Sequence, residues 1–175
     1  MDDTAMIDRL TGVWNRDYRD LHLPAQLSLA RRISKPLSCV MAEIDGLSGI
    51  SRTFGETTAN NVVRQVARIL AGQGRVEDML CSLESGKFSL LLPATSQAGA
   101  ARLANRTRAQ IEHQFRVASE ITVNATCSFG VADTLHGSDL SLLDRADAAL
   151  NCAKHSGGNC ISVSPPAMTG NAVPA

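Results

Sequence analysis

Aromatic side chains are scarce in this 175-residue chain: Phe, Trp and Tyr together make up 3% of it. Any core must therefore rest on Leu, Ile, Val and Ala. Net charge is absent too, with 17 Lys and Arg against 17 Asp and Glu. That balance argues against a sequence-blind polyanion binder or a basic membrane-surface module, so neither nucleic acid nor membrane is an expected partner of this segment. No apolar run approaches the ~20 residues of a membrane span, and no signal-peptide pattern opens the chain. The five cysteines (39, 81, 127, 152 and 160) include no Cys-x-x-Cys pair. Cys39, Cys81 and Cys127 sit inside strand-like runs, and small core residues of a cytoplasmic protein are expected rather than metal ligands or disulfides.

What is present suits one globular domain: 44% of residues are hydrophobic and 19% charged. Asn15 is placed to cap a helix running into the low thirties, with Leu21, Leu27, Leu29 and Ile33 as its apolar face. "LSCVMAEID" (37–45) reads as a buried strand ending in acids. "TTANNVVRQVARIL" (57–70) has Val62, Val66, Ile69 and Leu70 at helical spacing and a stop at Gly72. "CSLESGKFSLLLP" (81–93) reads as two strands folded over a tight turn at 84–87. An Ala-rich helix (96–115), a strand (120–133), a helix (138–157) capped by Ser138 and stopped at Gly157, and the strand "NCISVS" follow. This order predicts an α+β domain over 1–163, with one ferredoxin-like sheet carrying packed helices. Residues 164–175 have the composition of a linker or disordered tail, and the expectation is that they lead to another domain of a longer protein.

Four segments carry a resemblance. "DRLTGVWNR" (8–16), "EIDGLSGISRTFG" (43–55), "SFGVA" (128–132) and "RADAALNCAKHSGGN" (145–159), together with the hairpin, resemble the GGDEF family in order and spacing. That family comprises diguanylate cyclases, which condense two GTP into cyclic di-GMP using Mg²⁺. The resemblance implies a nucleotide-cyclase-type fold, with a mostly antiparallel central sheet flanked by helices and the signature turn on a β-hairpin.

It also implies chemistry that this chain departs from. The reaction needs metal-neutralised, in-line attack on an α-phosphate, and Mg²⁺ wants hard oxygen ligands. The family's first metal carboxylate falls on Glu43. Its Gly-Gly-Asp/Glu-Glu-Phe turn maps onto Glu84, Ser85, Gly86, Lys87 and Phe88. The second metal acid is thus Gly86, and its acidic neighbour is Lys87. An ammonium there costs at most about 4 kcal/mol per charge pair at 4 Å and an effective dielectric constant near 20. The guanine-reading Asn and Asp fall on Ser51 and Asn60, and the Lys after the Asp-x-Asp run falls on Ser48. Lys154 keeps a phosphate-contacting position, while Gly158 replaces an Arg. No intact catalytic set, metal site or cofactor is expected.

One family feature is retained. Many members bind product at an Arg-x-x-Asp five residues before the turn, and "RVED" puts Arg75 and Asp78 there. An ungapped count places the accessory arginine at Arg106, with Arg102 one turn earlier. Arg forks suit guanine edges and phosphates, and Asp accepts from base N–H groups. The expected function is that of an inactive regulatory domain binding cyclic di-GMP. A weak diguanylate cyclase, and a ligand-free dimerisation module for an attached EAL-type phosphodiesterase or sensor domain, are the alternatives.

Overall fold

Asn15 does cap the first helix. In the computed structural model, which describes residues 3–84, 86–114, 123–138 and 141–166, strand β1 is Trp14–Asn15 and helix α1 is Arg16–Ile33. The Asn15 side chain accepts a 3.0 Å hydrogen bond from Tyr18 N, satisfying one orphan donor of the first turn. Strand β2 (Leu37–Ile44) leads to helices α2 (Leu47–Phe54) and α3 (Glu56–Gln73). The hairpin β3 (Met79–Glu84) and β4 (Lys87–Pro93) precedes α4 (Gln97–Gln114), and β5 (Cys127–Asp133), α5 (Leu142–His155) and β6 (Ile161–Val163) close the domain.

The strands form one sheet in the order β1-β3-β4-β2-β5-β6. The four inner strands pair antiparallel, and each edge strand adds in parallel. On one face Val40, Phe88, Leu90 and Phe129 meet Val62, Val66 and Leu70 of α3 and Ala104 and Ile111 of α4. The other face puts Cys39, Met41 and Leu91 under Leu27 of α1 and Leu142 and Leu150 of α5. Burial on both faces explains why β2 reads as a continuous apolar run rather than an alternating one. A Cβ on Gly130 would lie 2.1 Å from Leu150 N and 2.2 Å from Ala146 O, so glycine there lets α5 lie directly on β5.

Several boundaries differ from expectation. Of the expected face Leu27 is buried, but Leu21, Leu29 and Ile33 are exposed; Arg19 and Ala30 complete the buried stripe of α1, with Leu23 partly covered. An apolar pattern on a helix with many scattered leucines does not say which face meets the sheet. Gly72 does not stop α3, which reaches Gln73 with Gly74 as its cap. Thr57 does not open it either; Gly55, at φ +86°, separates α3 from α2, a helix too short to show a clear period in the sequence. Of the expected strand 120–133, residues 120–122 lie outside the described residues and 123–126 are irregular. Thr126 is occupied there, accepting from Asp45 N through its carbonyl and donating from Oγ1 to Asp45 Oδ2. Ser141, not Ser138, sits at the N-terminus of α5, and Ser138 lies before it as an acceptor for Ser141 N. The tail beyond 166 is outside the described residues.

Candidate functional site

The C-terminal end of β2 faces the hairpin turn. Glu43 is the register partner of Lys87, and Glu84 pairs with Lys87 as the last pair of the hairpin. Gly86 turns at φ +79°, a conformation glycine tolerates best, and its carbonyl accepts from Ile44 N at 2.9 Å. Ser85 lies outside the described residues. Glu43, Ser48, Ser51, Asn60 and Lys154 line one open cleft of about 770 Å³, walled also by Gly157 and Gly158. Its residues come from β2, α2, α3 and α5, which only the fold brings together.

Two ion pairs organise this end. Lys154 Nζ donates to Glu43 Oε1 at 2.6 Å, and Lys87 Nζ lies 2.7 Å from Asp147 Oδ1. Asp45, beside Glu43, receives Thr126 Oγ1, Ser128 Oγ and Asn159 N at 2.7, 2.7 and 2.9 Å. It therefore acts as a hub tying β2 to the start of β5 and to the loop after α5. Gly158 adopts φ +74° with its would-be Cβ 3.2 Å from Asp45 Cγ, so a larger residue would be strained there.

The four residues of the Arg-x-x-Asp reading meet at a second, smaller cleft. Arg75, Asp78, Arg102 and Arg106 line a cavity of about 250 Å³ between the β3 approach and α4. Asp78 Oδ2 accepts from Arg75 N at 2.7 Å, closing the turn on itself. Burial pushes the Asp78 carboxyl above its ordinary pKa, against the lowering effect of that backbone hydrogen bond. The Arg75 guanidinium is 70% exposed and 4.0 Å from Glu77. Arg106 Nε donates to Gln73 Oε1 at 2.8 Å, and Gln73 in turn donates to Gln110 at 2.7 Å. Three guanidinium groups around one carboxylate leave local positive charge, suited to an anion that also carries hydrogen-bonding edges.

Sequence reasoning misses Asp147, Gln73 and Asp45. Asp147 has a signal: it lies on the same helix as Lys154, two turns earlier, and so on the same face. Gln73 has none, being one of several polar residues at a helix end.

Fold and clefts together define a ferredoxin-like α+β domain with a wide nucleotide-sized cleft at one end of its sheet. The chain belongs to the GGDEF family: the family model "Diguanylate cyclase, GGDEF domain" matches residues 5–160. It is 34% identical over 163 residues to the response regulator PleD of Caulobacter vibrioides, covering 91% of this chain and 36% of PleD. Diguanylate cyclase A of Treponema denticola is 30% identical over 132 residues, covering 73% of this chain and 35% of that protein. The chain thus spans about a third of these relatives' length. Among solved structures, the GGDEF domain of DgcB from Caulobacter crescentus in complex with c-di-GMP superposes with a TM-score of 0.85 at 24% identity, covering 91% of this chain and 93% of that one. Diguanylate cyclase SiaD of Pseudomonas aeruginosa, in complex with its activator SiaC, gives 0.83 at 26%, covering 92% and 62%.

Diguanylate cyclases of this family generally use Mg²⁺, and the positions expected to supply its carboxylates are Glu43 and Gly86. The Glu43 carboxylate is engaged by Lys154, and Gly86 supplies no ligand. A Cβ on Gly86 would already lie 2.6 Å from Leu47 Cδ2. The described residues include no helix long and apolar enough to cross a membrane.

Proposed function

We propose that this is a catalytically inactive GGDEF domain of cyclic di-GMP signalling that binds cyclic di-GMP through Arg75, Asp78, Arg102 and Arg106. The observation that supports the reading is the single cleft these four residues line, with its excess of guanidinium groups. Arginine forks would neutralise the two phosphates and reach guanine O6 and N7, while Asp78 accepts from guanine N–H groups. The chemistry supports inactivity: Lys154 holds Glu43, Gly86 has no carboxylate, and Lys87, paired with Asp147, stands where the family has an acid. An amide at Asn60 matches the two donors of a guanine edge less well than an acid. The domain would act in the cytoplasm on an attached EAL-type or sensor domain, with a homodimer completing the ligand site where the ligand stacks. Calorimetric titration with cyclic di-GMP, and separately with GTP and Mg²⁺, tests it. Binding of the first and no turnover of the second is the expected result.

A further inference from the structure

A separate cavity opens on the other side of the Arg75–Asp78 turn. It holds about 330 Å³, and Arg75 and Asp78 line both it and the arginine cleft, so the turn is a common wall. The remaining walls are apolar, with Trp14, Leu70, Leu80 and Leu90 the largest. Leu70 and Leu90 belong to the core, which makes that wall rigid. Trp14 is held in place by stacking on Tyr18, ring centroids 3.8 Å apart and planes within 6°. One Asp78 oxygen is committed to Arg75 N, and a carboxylate retains further acceptor capacity on its second oxygen.

An apolar cavity with one convergent acceptor is the usual make-up of a small-molecule site. We propose that it binds a flat, largely apolar heteroaromatic molecule whose N–H donor meets the Asp78 carboxylate. The volume lies near the lower end of the range of ligand sites, about 300–1,000 Å³, so it fits a fused bicyclic ring better than a nucleotide. The walls offer no cation to a phosphate apart from Arg75, whose guanidinium is largely in solvent. This site shares the Asp78 carboxylate with the cyclic di-GMP reading, but its apolar walls are its own, and Arg106 lines only the arginine cleft.

The test uses 2-aminobenzimidazole, a bicyclic ring with adjacent N–H donors, titrated into ¹⁵N-labelled protein. Trp14 is the only tryptophan in the chain, so its indole N–H gives an unambiguous signal. A saturable shift of that signal is expected, weakened about tenfold or more in Asp78→Asn, which keeps an acceptor for Arg75 N. Ala71→Phe, at an exposed α3 position on the cavity's rim, should abolish the shift without unfolding the protein. Arg106→Ala should leave it unchanged while removing cyclic di-GMP binding, which separates the two sites. No saturable shift, or equal binding by Asp78→Asn and Ala71→Phe, overturns the proposal.

Discussion

Lys87 Nζ lies 2.7 Å from Asp147 Oδ1, joining the hairpin to α5. Glu43, across from Lys87 in the β2–β4 register, is reached by Lys154 from the same helix. Two adjacent strands of opposite charge are thus clamped by one helix face of matching, reversed charge. Lys87 is 18% exposed and Asp147 39%, so the pair is only partly screened, and loss of the Asp147 charge leaves a mostly buried ammonium without it. Asp147→Asn should lower the unfolding free energy by about 1 kcal/mol. The exchange Lys87→Asp with Asp147→Lys should recover part of it, and urea denaturation of the three proteins would show whether it does.

Pure protein should make no cyclic di-GMP from GTP with Mg²⁺ or Mn²⁺. Changing Glu84→Gly, Ser85→Gly, Gly86→Asp and Lys87→Glu together should not restore full activity, because Ser51, Asn60 and the Lys154–Glu43 pair remain. Chromatography showing multiple turnovers by the wild type would sink the inactive reading.

Arg75→Ala should abolish cyclic di-GMP binding with little change in melting temperature, because an exposed arginine contributes little to folding. Binding by the wild type should weaken as salt is added, since the contacts are between charges. Equal affinity in Arg75→Ala would leave the ligand-free module as the better account.

Gly130→Ala should be among the most damaging single substitutions. Its methyl group would meet α5 backbone at 2.1–2.2 Å, and a helix backbone cannot yield as a flexible side chain can. A loss of about 3 kcal/mol or more is expected from such overpacking, read as a fall in the urea midpoint or as insoluble expression.

The buried thiols set a limit at high pH. Burial pushes Cys39 and Cys81 up to about 12, and raises Cys127 well above the ordinary thiol range. A folded-state pKa above the unfolded one means stability is fully present below about pH 9 and is lost as pH rises towards 12. Between those values each such thiol should add a slope of up to about 1.4 kcal/mol per pH unit. At pH 8 a thiol reagent should label exposed Cys152 first and leave Cys39, Cys81 and Cys127 protected until unfolding. Fast labelling of all five in native buffer would contradict this.

Much of the fold is legible in the amino-acid sequence alone. The apolar run 37–44 could only be a buried strand, Asn15 could cap, and Phe88 followed by three apolar residues fixed the far limb of the hairpin. The ordered motifs named the family, and counting from the turn found four residues that line one cleft. These signals are local, because helix and strand periods and turn chemistry act over a few residues. Other features have no local signature. Trp14–Asn15 became a strand only because β3 offered an edge to pair with, and two residues carry no period. The α1 leucines at 21 and 29 gave way to Arg19 and Ala30 because the sheet's position, not the helix's own pattern, chooses the buried face. Lys154 and Glu43 are 111 residues apart, and their contact exists because α5 settles on β5 and β2, with glycine at 130 allowing the close approach. Residue types and spacing determined the family and the chemistry available; packing of helices on the sheet decided which charges met.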